Sequence, residues 1–230
     1  MSWVFPGRCP ICHRIVSQKG KKVCKECEKK LEYIKEPRCK KCGKAIDNDI
    51  KEYCFECEMK EHDFTQGRGV FVYQEEMKQS IYRFKYRNKR EYADFYVEKI
   101  AEEYREWIFS CRPQVLIPVP LYKFKKRQRG FNQAEILADK LGKVLNIPVE
   151  SNLVIRCKKT IPQKELSEKE RKNNMKNAFK ITQSAVKLKR VMLVDDIYTT
   201  GSTIDEVAKI LKKSGVDEVY FIVVCVGRGY

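Results

Sequence analysis

Long apolar runs are missing from this 230-residue chain. The longest uncharged one, Val219 to Gly227, has the length of a β-strand and falls far short of the ~20 residues a membrane-crossing helix needs. Met1-Ser2-Trp3-Val4-Phe5-Pro6 lacks the charged and apolar regions of a secretory signal, so neither secretion nor a membrane span is expected. Also missing are the Gly-x-Gly-x-x-Gly and Gly-x4-Gly-Lys-Ser/Thr patterns, which sets aside Rossmann and P-loop nucleotide sites. Acidic residues are in short supply: 31 Asp and Glu face 48 Lys and Arg, a formal charge of +17. Such an excess points to a polyanion, whether nucleic acid, a phosphorylated small molecule or an anionic membrane face. The bland alternative is a solvated basic surface. Hydrophobic residues make up 43% of the chain, enough for one or two ordinary folded domains.

What is abundant is cysteine. Eight of the 11 cysteines form four CxxC pairs: Cys9 with Cys12, Cys24 with Cys27, Cys39 with Cys42 and Cys54 with Cys57. Eleven residues separate each pair from the next, so the first 57 residues repeat with a period of fifteen. Two cysteines three apart on a tight turn can aim both sulfurs at one tetrahedral ion, and two such turns close the four-thiolate shell of a structural zinc site. Disulfides would need an oxidising compartment. Iron–sulfur ligation matches the even spacing less well than two zinc ribbons do. Pairing of the first four cysteines on one ion and the next four on a second is favoured over a crossed arrangement, although spacing alone allows both. Cys111, Cys157 and Cys225 are isolated, and Cys225 reads as core.

The composition changes after Cys57, which predicts a zinc-ribbon domain over 1–60, a polar hinge over 58–67 and a second domain over 68–230. Gly69 to Tyr73 reads as a strand. Met77, Ile81 and Phe84 mark a short helix ending in Lys85-Tyr86-Arg87, and Ala93, Val97, Ile100, Tyr104 and Ile108 mark a longer one. Val115-Leu116-Ile117 is a buried strand. Asn132 with Glu135 predicts a capping box for a helix that buries Leu137, Leu141, Val144 and Leu145. Val191 to Val194 is a fully apolar strand, followed by a helix closed near Gly215 and by a last strand over Val219 to Val226. This alternation predicts an α/β domain with a mostly parallel sheet covered on both faces.

The chemistry sits where Val191–Val194 runs into Asp195-Asp196-Ile197-Tyr198-Thr199-Thr200-Gly201-Ser202-Thr203. Ligands of open parallel sheets bind beyond the carboxyl ends of the strands. The hydroxyl-rich turn and helix start favour a phosphate, and the two acids ahead of it can accept hydrogen bonds from vicinal hydroxyls. Val191 to Thr203 resembles the phosphoribosyl-pyrophosphate (PRPP) signature of type I phosphoribosyltransferases. Further segments narrow the resemblance to the ComF family of competence proteins, ComFC type. They are Phe84-Lys85-Tyr86-Arg87, Pro118-Val119-Pro120-Leu121, Arg129-Gly130-Phe131-Asn132-Gln133-Ala134, Gln163 with Leu166-Ser167 and Arg171, and Asn177-Ala178-Phe179.

The resemblance implies a parallel-sheet type I phosphoribosyltransferase-like domain behind a double zinc ribbon. It makes Asp195 and Asp196 the ribose-binding and candidate catalytic pair. Thr199, Thr200, Gly201, Ser202 and Thr203 would hold the 5′-phosphate. Tyr122, Lys123, Arg129 and Gly130 would form the pyrophosphate loop, with Mg2+ accompanying the ligand. Arg156 to Lys176 would stand in the place of the flexible catalytic loop. It also implies a cytoplasmic protein that handles single-stranded DNA in natural transformation, with a helicase or other DNA-processing proteins as partners. Residues 122–131 agree with that: Lys123, Lys125, Lys126, Arg127 and Arg129 are interleaved with Tyr122, Phe124 and Phe131, cations for phosphates and aromatic faces for bases. The same cations could instead serve only the pyrophosphate. Two other functions compete. One is a metabolic phosphoribosyltransferase, against which stand the absence of an evident base-recognition hood and a serine rather than cysteine at position 2. The other is a non-catalytic interaction module, against which stands the intact acid pair and turn.

Overall fold

The computed structural model describes residues 7–18, 20–158, 177–182 and 187–228. Four strands form one parallel sheet in the order β1 (Gln66–Val72), β6 (Glu218–Val226), β5 (Arg190–Tyr198) and β2 (Val115–Pro118). A separate antiparallel pair joins β3 (Val154–Arg156) to β4 (Phe179–Ile181). Helices α3 (Glu75–Tyr86), α4 (Tyr92–Cys111) and α6 (Gln133–Leu145) cover one face of the sheet, and α7 (Ser202–Lys213) covers the other. The central strands are apolar on both sides, as a doubly covered parallel sheet requires. Met192 and Val194 pack toward α3, α4 and α6, while Val191 and Leu193 pack toward α7. None of the described helices is long and apolar enough to cross a membrane.

Local signals set the element ends. The Asn132 side chain accepts from the Ala134 N–H at the start of α6, and its amide donates to the Val119 carbonyl, tying the helix to the end of β2. Glu135 does not complete a capping box; it pairs with Lys126. Val144 faces solvent, whereas Leu137, Leu141 and Leu145 are buried. Gly215 adopts φ 99° just past α7, where its N–H bonds to the Lys212 carbonyl and that of Val216 to Leu211, the two bonds of a Schellman end.

The cysteine-rich segment is built as two similar ribbons. Cys9 and Cys12 lie on a knuckle, where the Cys9 N–H bonds to the Arg14 carbonyl and that of His13 to Cys9; Cys39 and Cys42 repeat this with Lys44 and Gly43. Cys24 and Cys54 instead precede short helices, α1 (Lys25–Glu28) and α2 (Phe55–Met59). The fifteen-residue spacing in sequence is therefore a thirty-residue unit in structure, with knuckle and helix alternating. Residues 32–34, between the ribbons, run antiparallel to β1: Ile34 donates to the Val70 carbonyl and Val72 to that of Glu32. That pairing closes an otherwise open sheet edge.

The stretch 58–67 is not a free hinge. Lys60 and His62 both bond to Asp205 of α7, Phe64 is fully buried, and the Thr65 N–H donates to the Val219 carbonyl. Lys60, His62 and the Asp63 N–H thus bond to α7, while Glu58 and Glu61 face solvent.

Candidate functional site

Beyond Pro118 the sheet opens. β2 ends paired with Val194, while β5 continues through Asp195 and Asp196 to Tyr198, so among the described residues the end of β5 has no strand beside it on that side. A cleft of about 1330 Å3 lies there. Asp195, Asp196, Thr199 and Thr203 line one wall, and Lys125, Arg129 and Arg156 contribute to the rest.

Asp196 is almost fully buried and forms an ion pair with Lys85 of α3; Gln133 of α6 donates to its other oxygen at 3.3 Å. A strand and two helices thus meet at one carboxylate, and Arg129 stands behind it, donating to the Gln133 side-chain oxygen. Burial alone would raise Asp196, but the Lys85 ammonium, with hydrogen bonding to Asp195 and the charge of Arg129, holds the carboxyl below the usual carboxylate range. Burial and the neighbouring Asp196 charge push Asp195 well above that range. The Asp195 carboxylate accepts from the Asp196 N–H at 2.8 Å. Two acids thus face a single paired ammonium, and ionising Asp195 beside Asp196 is costly unless a ligand brings a cation or hydroxyl donors to it. A divalent ion bound with substrate phosphates, needing one or two carboxylates from the protein, fits this arrangement.

The turn after β5 is held by a glycine that no other residue can replace without strain. Gly201 has φ 76°, and a Cβ there would stand 2.7 Å from the Tyr198 hydroxyl. Thr199 and Thr203 reach the cleft, whereas the Thr200 and Ser202 hydroxyls lie 3.1 Å from each other.

Residues 122–131 form a helix, α5 (Lys123–Arg129), with Tyr122 as its N-cap and Gly130 closing it at φ 81°. Lys125 and Arg129 line the cleft, while Lys123 and Arg127 are exposed. Lys126 is drawn to Glu135. Phe131 is a core residue: it is buried against Phe84 and covered by the Arg90 guanidinium at 4.6 Å, which leaves no ring face for a base. The stretch assigned to the flexible loop, Arg156 to Lys176, falls almost entirely outside the described residues, as do Gln163, Leu166, Ser167 and Arg171.

Sequence reasoning did not assign Lys85 and Gln133 to the acid pair, although both lie in segments that carried the resemblance. Nothing in their spacing to Asp196 along the chain announces the contact; it is made by helix packing.

The eight CxxC cysteines gather into two groups, Cys9, Cys12, Cys24 and Cys27, and Cys39, Cys42, Cys54 and Cys57, with the sulfurs of each group within 4.8 Å of one another. The pairing is sequential. Sulfur–sulfur distances of 3.6 Å for Cys12–Cys24, 3.5 Å for Cys9–Cys24 and 3.6 Å for Cys42–Cys54 are far too long for disulfides. They approach the ~3.8 Å edge of a tetrahedron with zinc–sulfur bonds of about 2.3 Å. Both groups fit zinc.

Comparison with known proteins follows the same division. Residues 1–58 match the double zinc ribbon domain, and residues 126–230 match the phosphoribosyl transferase domain. The chain is 47% identical over 109 residues to competence protein F of Haemophilus influenzae, covering 46% of this chain and 48% of that protein. It is 36% identical over 113 residues to the DNA utilization protein YhgH of Escherichia coli (strain K12), covering 49% of each. Competence protein ComFC of Bacillus subtilis (strain 168) is 30% identical over 151 residues, covering 65% of this chain and 59% of that protein. The alignments span about half the length of the first two relatives.

Proposed function

The chain being a ComFC-type protein of the ComF family, a double zinc ribbon joined to a phosphoribosyltransferase-type domain, we propose that it handles single-stranded DNA during natural transformation and binds PRPP with Mg2+ in the cleft beyond β5. The observation that carries the ligand reading is the acid pair at the end of β5 facing the same cleft as Thr199 and Thr203. Asp195 and Asp196 accept hydrogen bonds from the ribose 2′- and 3′-hydroxyls, and the 199–203 turn receives the 5′-phosphate at the start of α7. Arg129, with Tyr122, Lys123 and Gly130 beside it, serves the pyrophosphate. Mg2+ bound to the pyrophosphate oxygens neutralises their charge. Lys85 keeps Asp196 ionised and Gln133 fixes its orientation, so the acceptors are preorganised. The DNA reading rests on the names of the relatives, on the charge of +17 and on Lys123, Lys125, Lys126 and Arg127 along α5.

Thermal unfolding with and without PRPP and Mg2+ tests the ligand half. PRPP at a hundred times its dissociation constant should stabilise the protein by about 2.7 kcal/mol. The Asp195→Asn/Asp196→Asn variant should lose that response while still folding; an unchanged PRPP affinity by calorimetry would remove the ligand from this site. For DNA, affinity for an oligonucleotide should fall with salt with a slope of roughly −0.7 per phosphate contact, and Lys123→Ala/Lys125→Ala/Arg127→Ala should shallow it by about two. A slope that the triple variant leaves untouched would take α5 out of the interface.

A further inference from the structure

Of the aromatic residues around α5, Phe131 lies in the core and neither Tyr122 nor Phe124 lines the cleft, whereas α3 carries aromatic surface that does. Its inner face buries Met77, Ser80, Ile81 and Phe84. Its outer face presents Tyr82 and Tyr86, which are 51% and 60% exposed and both line the cleft together with the acid pair. Their ring centroids are 5.1 Å apart, one helical turn along the same face. The Arg129 guanidinium stands 4.8 Å from the Tyr86 ring, which links this face to α5. Lys78, Arg87 and Lys89 line the cleft on either side of the two rings. Apart from Asp195 and Asp196, the lining contains no acid among the described residues.

Large aromatic rings on a solvated helix face usually do no more than pack on each other, worth a few tenths of a kcal/mol to the helix. Here they open into a cleft whose charge is almost wholly positive. The ligand chemistry that uses flat apolar faces and cations in alternation is a chain of phosphates bearing unpaired bases. PRPP has no base and leaves this surface unused. We propose that Tyr82 and Tyr86 form a stacking platform for the bases of single-stranded DNA, with the phosphates running past Lys78, Arg87, Lys89 and Arg129. The platform deepens the strand-binding reading above and rests on it. It moves the base contacts from α5 to α3, so that a bound strand borders the same cleft as the acid pair.

The test is fluorescence anisotropy with a 15-nucleotide dT strand and the same strand carrying abasic sites. Tyr82→Ala/Tyr86→Ala should weaken dT binding at least ten-fold, and Tyr82→Phe/Tyr86→Phe should restore it, because stacking needs the ring and not the hydroxyl. Wild type should bind the abasic strand as weakly as the alanine variant does, and the alanine variant should not distinguish the two strands. The salt slope should stay unchanged, since no phosphate contact is lost. Both rings are exposed, and an unaltered melting temperature in the alanine variant verifies folding. Equal dT binding by wild type and the alanine variant overturns the platform and leaves strand binding to other residues. Wild type that fails to bind dT overturns the strand-binding reading and the platform together.

Discussion

The two zinc ribbons are close copies in backbone and opposite in attachment. The first packs Cys9, Ile11, Val23, Cys27 and Leu31 into the core that α3, α4 and α6 form on one face of the sheet. The second packs Cys39, Cys42 and Cys54, with Ile34 and Phe64 flanking it, into the core on the α7 face. The strand-like connector on the edge of β1 lies between them, so the pair straddles the sheet. The second is the more deeply set: Cys39 and Cys42 are both fully buried, whereas in the first ribbon Cys12 is only half-buried. Equal ligand sets therefore have unequal surroundings, and a repeat in sequence does not make a repeat in energetics.

The largest effect expected is the loss of a ligand. Structural zinc in such modules contributes about 10–16 kcal/mol to folding of the site. Cys12→Ser and Cys42→Ser should each leave one zinc per chain by metal analysis. Cys42→Ser should lower the melting temperature by about 10 °C or more, because Phe64 and Tyr198 share its core, and Cys12→Ser by about half as much. A chelator titration should empty the first site before the second. Equal losses, or simultaneous release of both ions, would erase the distinction between the two attachments.

A smaller effect separates the knuckles. Each needs a left-handed residue, filled by His13 at φ 65° in the first ribbon and Gly43 at φ 75° in the second. At Gly43 a Cβ would meet the Gly67 carbonyl oxygen at 2.7 Å, because the knuckle presses on β1. At His13 the side chain has room and bonds to the hydroxyl of buried Tyr92 at 2.6 Å. Gly43→Ala should cost about 2–3 kcal/mol from strain and a backbone clash. His13→Gly relieves strain of about 1–2 kcal/mol. It also strands a buried hydroxyl at about 1–3 kcal/mol, so the net change by denaturant unfolding should be near zero to 1 kcal/mol. A tolerated Gly43→Ala would mean that the second knuckle does not press on the sheet.

Next comes charge. Lys44, at 2% exposure, pairs with Glu56 and lies 5.9 Å from the Tyr198 ring; its counterpart one unit earlier, Arg14, is exposed. Lys44→Met should cost about 1–3 kcal/mol, since Glu56 loses its partner while keeping some access to water. Arg14→Met should stay within about 0.5 kcal/mol. Urea midpoints of the two variants measure the gap.

The ligands were legible in the sequence because CxxC spacing is a local requirement. The alternation of knuckle and helix was not, because both place two sulfurs three residues apart. The parallel sheet, the acid pair and the turn were legible for the same reason: apolar runs and a glycine with φ 76° are written locally. The partners of Asp196 were hidden because Lys85 and Gln133 come to it through helix packing. Phe131 sat in a basic stretch that invited an exposed reading, yet contact with Phe84 decides its burial. Nothing along the chain marks Tyr82 and Tyr86 as a pair, since only the cleft beside them gives those rings a use.

The smallest effect concerns the ion pairs that rim the two ribbons. Lys22 of the first reaches out to Glu98 of α4, and Lys40 of the second stays within its own ribbon on Glu52. Of these two, the first crosses between ribbon and helix, as the better-buried Glu28–Lys99 pair also does, so its removal tests one part of the attachment. Both pairs are solvated, the lysines at 41% and 59% side-chain exposure, and exposed pairs recover little because water and salt screen them while two long side chains lose freedom. Lys22→Ala and Lys40→Ala should each melt within about 1 °C of wild type, and raising the salt should not change the difference between them. A clear, salt-sensitive loss in Lys22→Ala alone would mean that charge helps to hold the first ribbon down. That ribbon's weaker seating would then be partly compensated at its rim. Apolar contact with α3 and α4, together with the Glu28–Lys99 pair, carries the attachment if both variants stay silent.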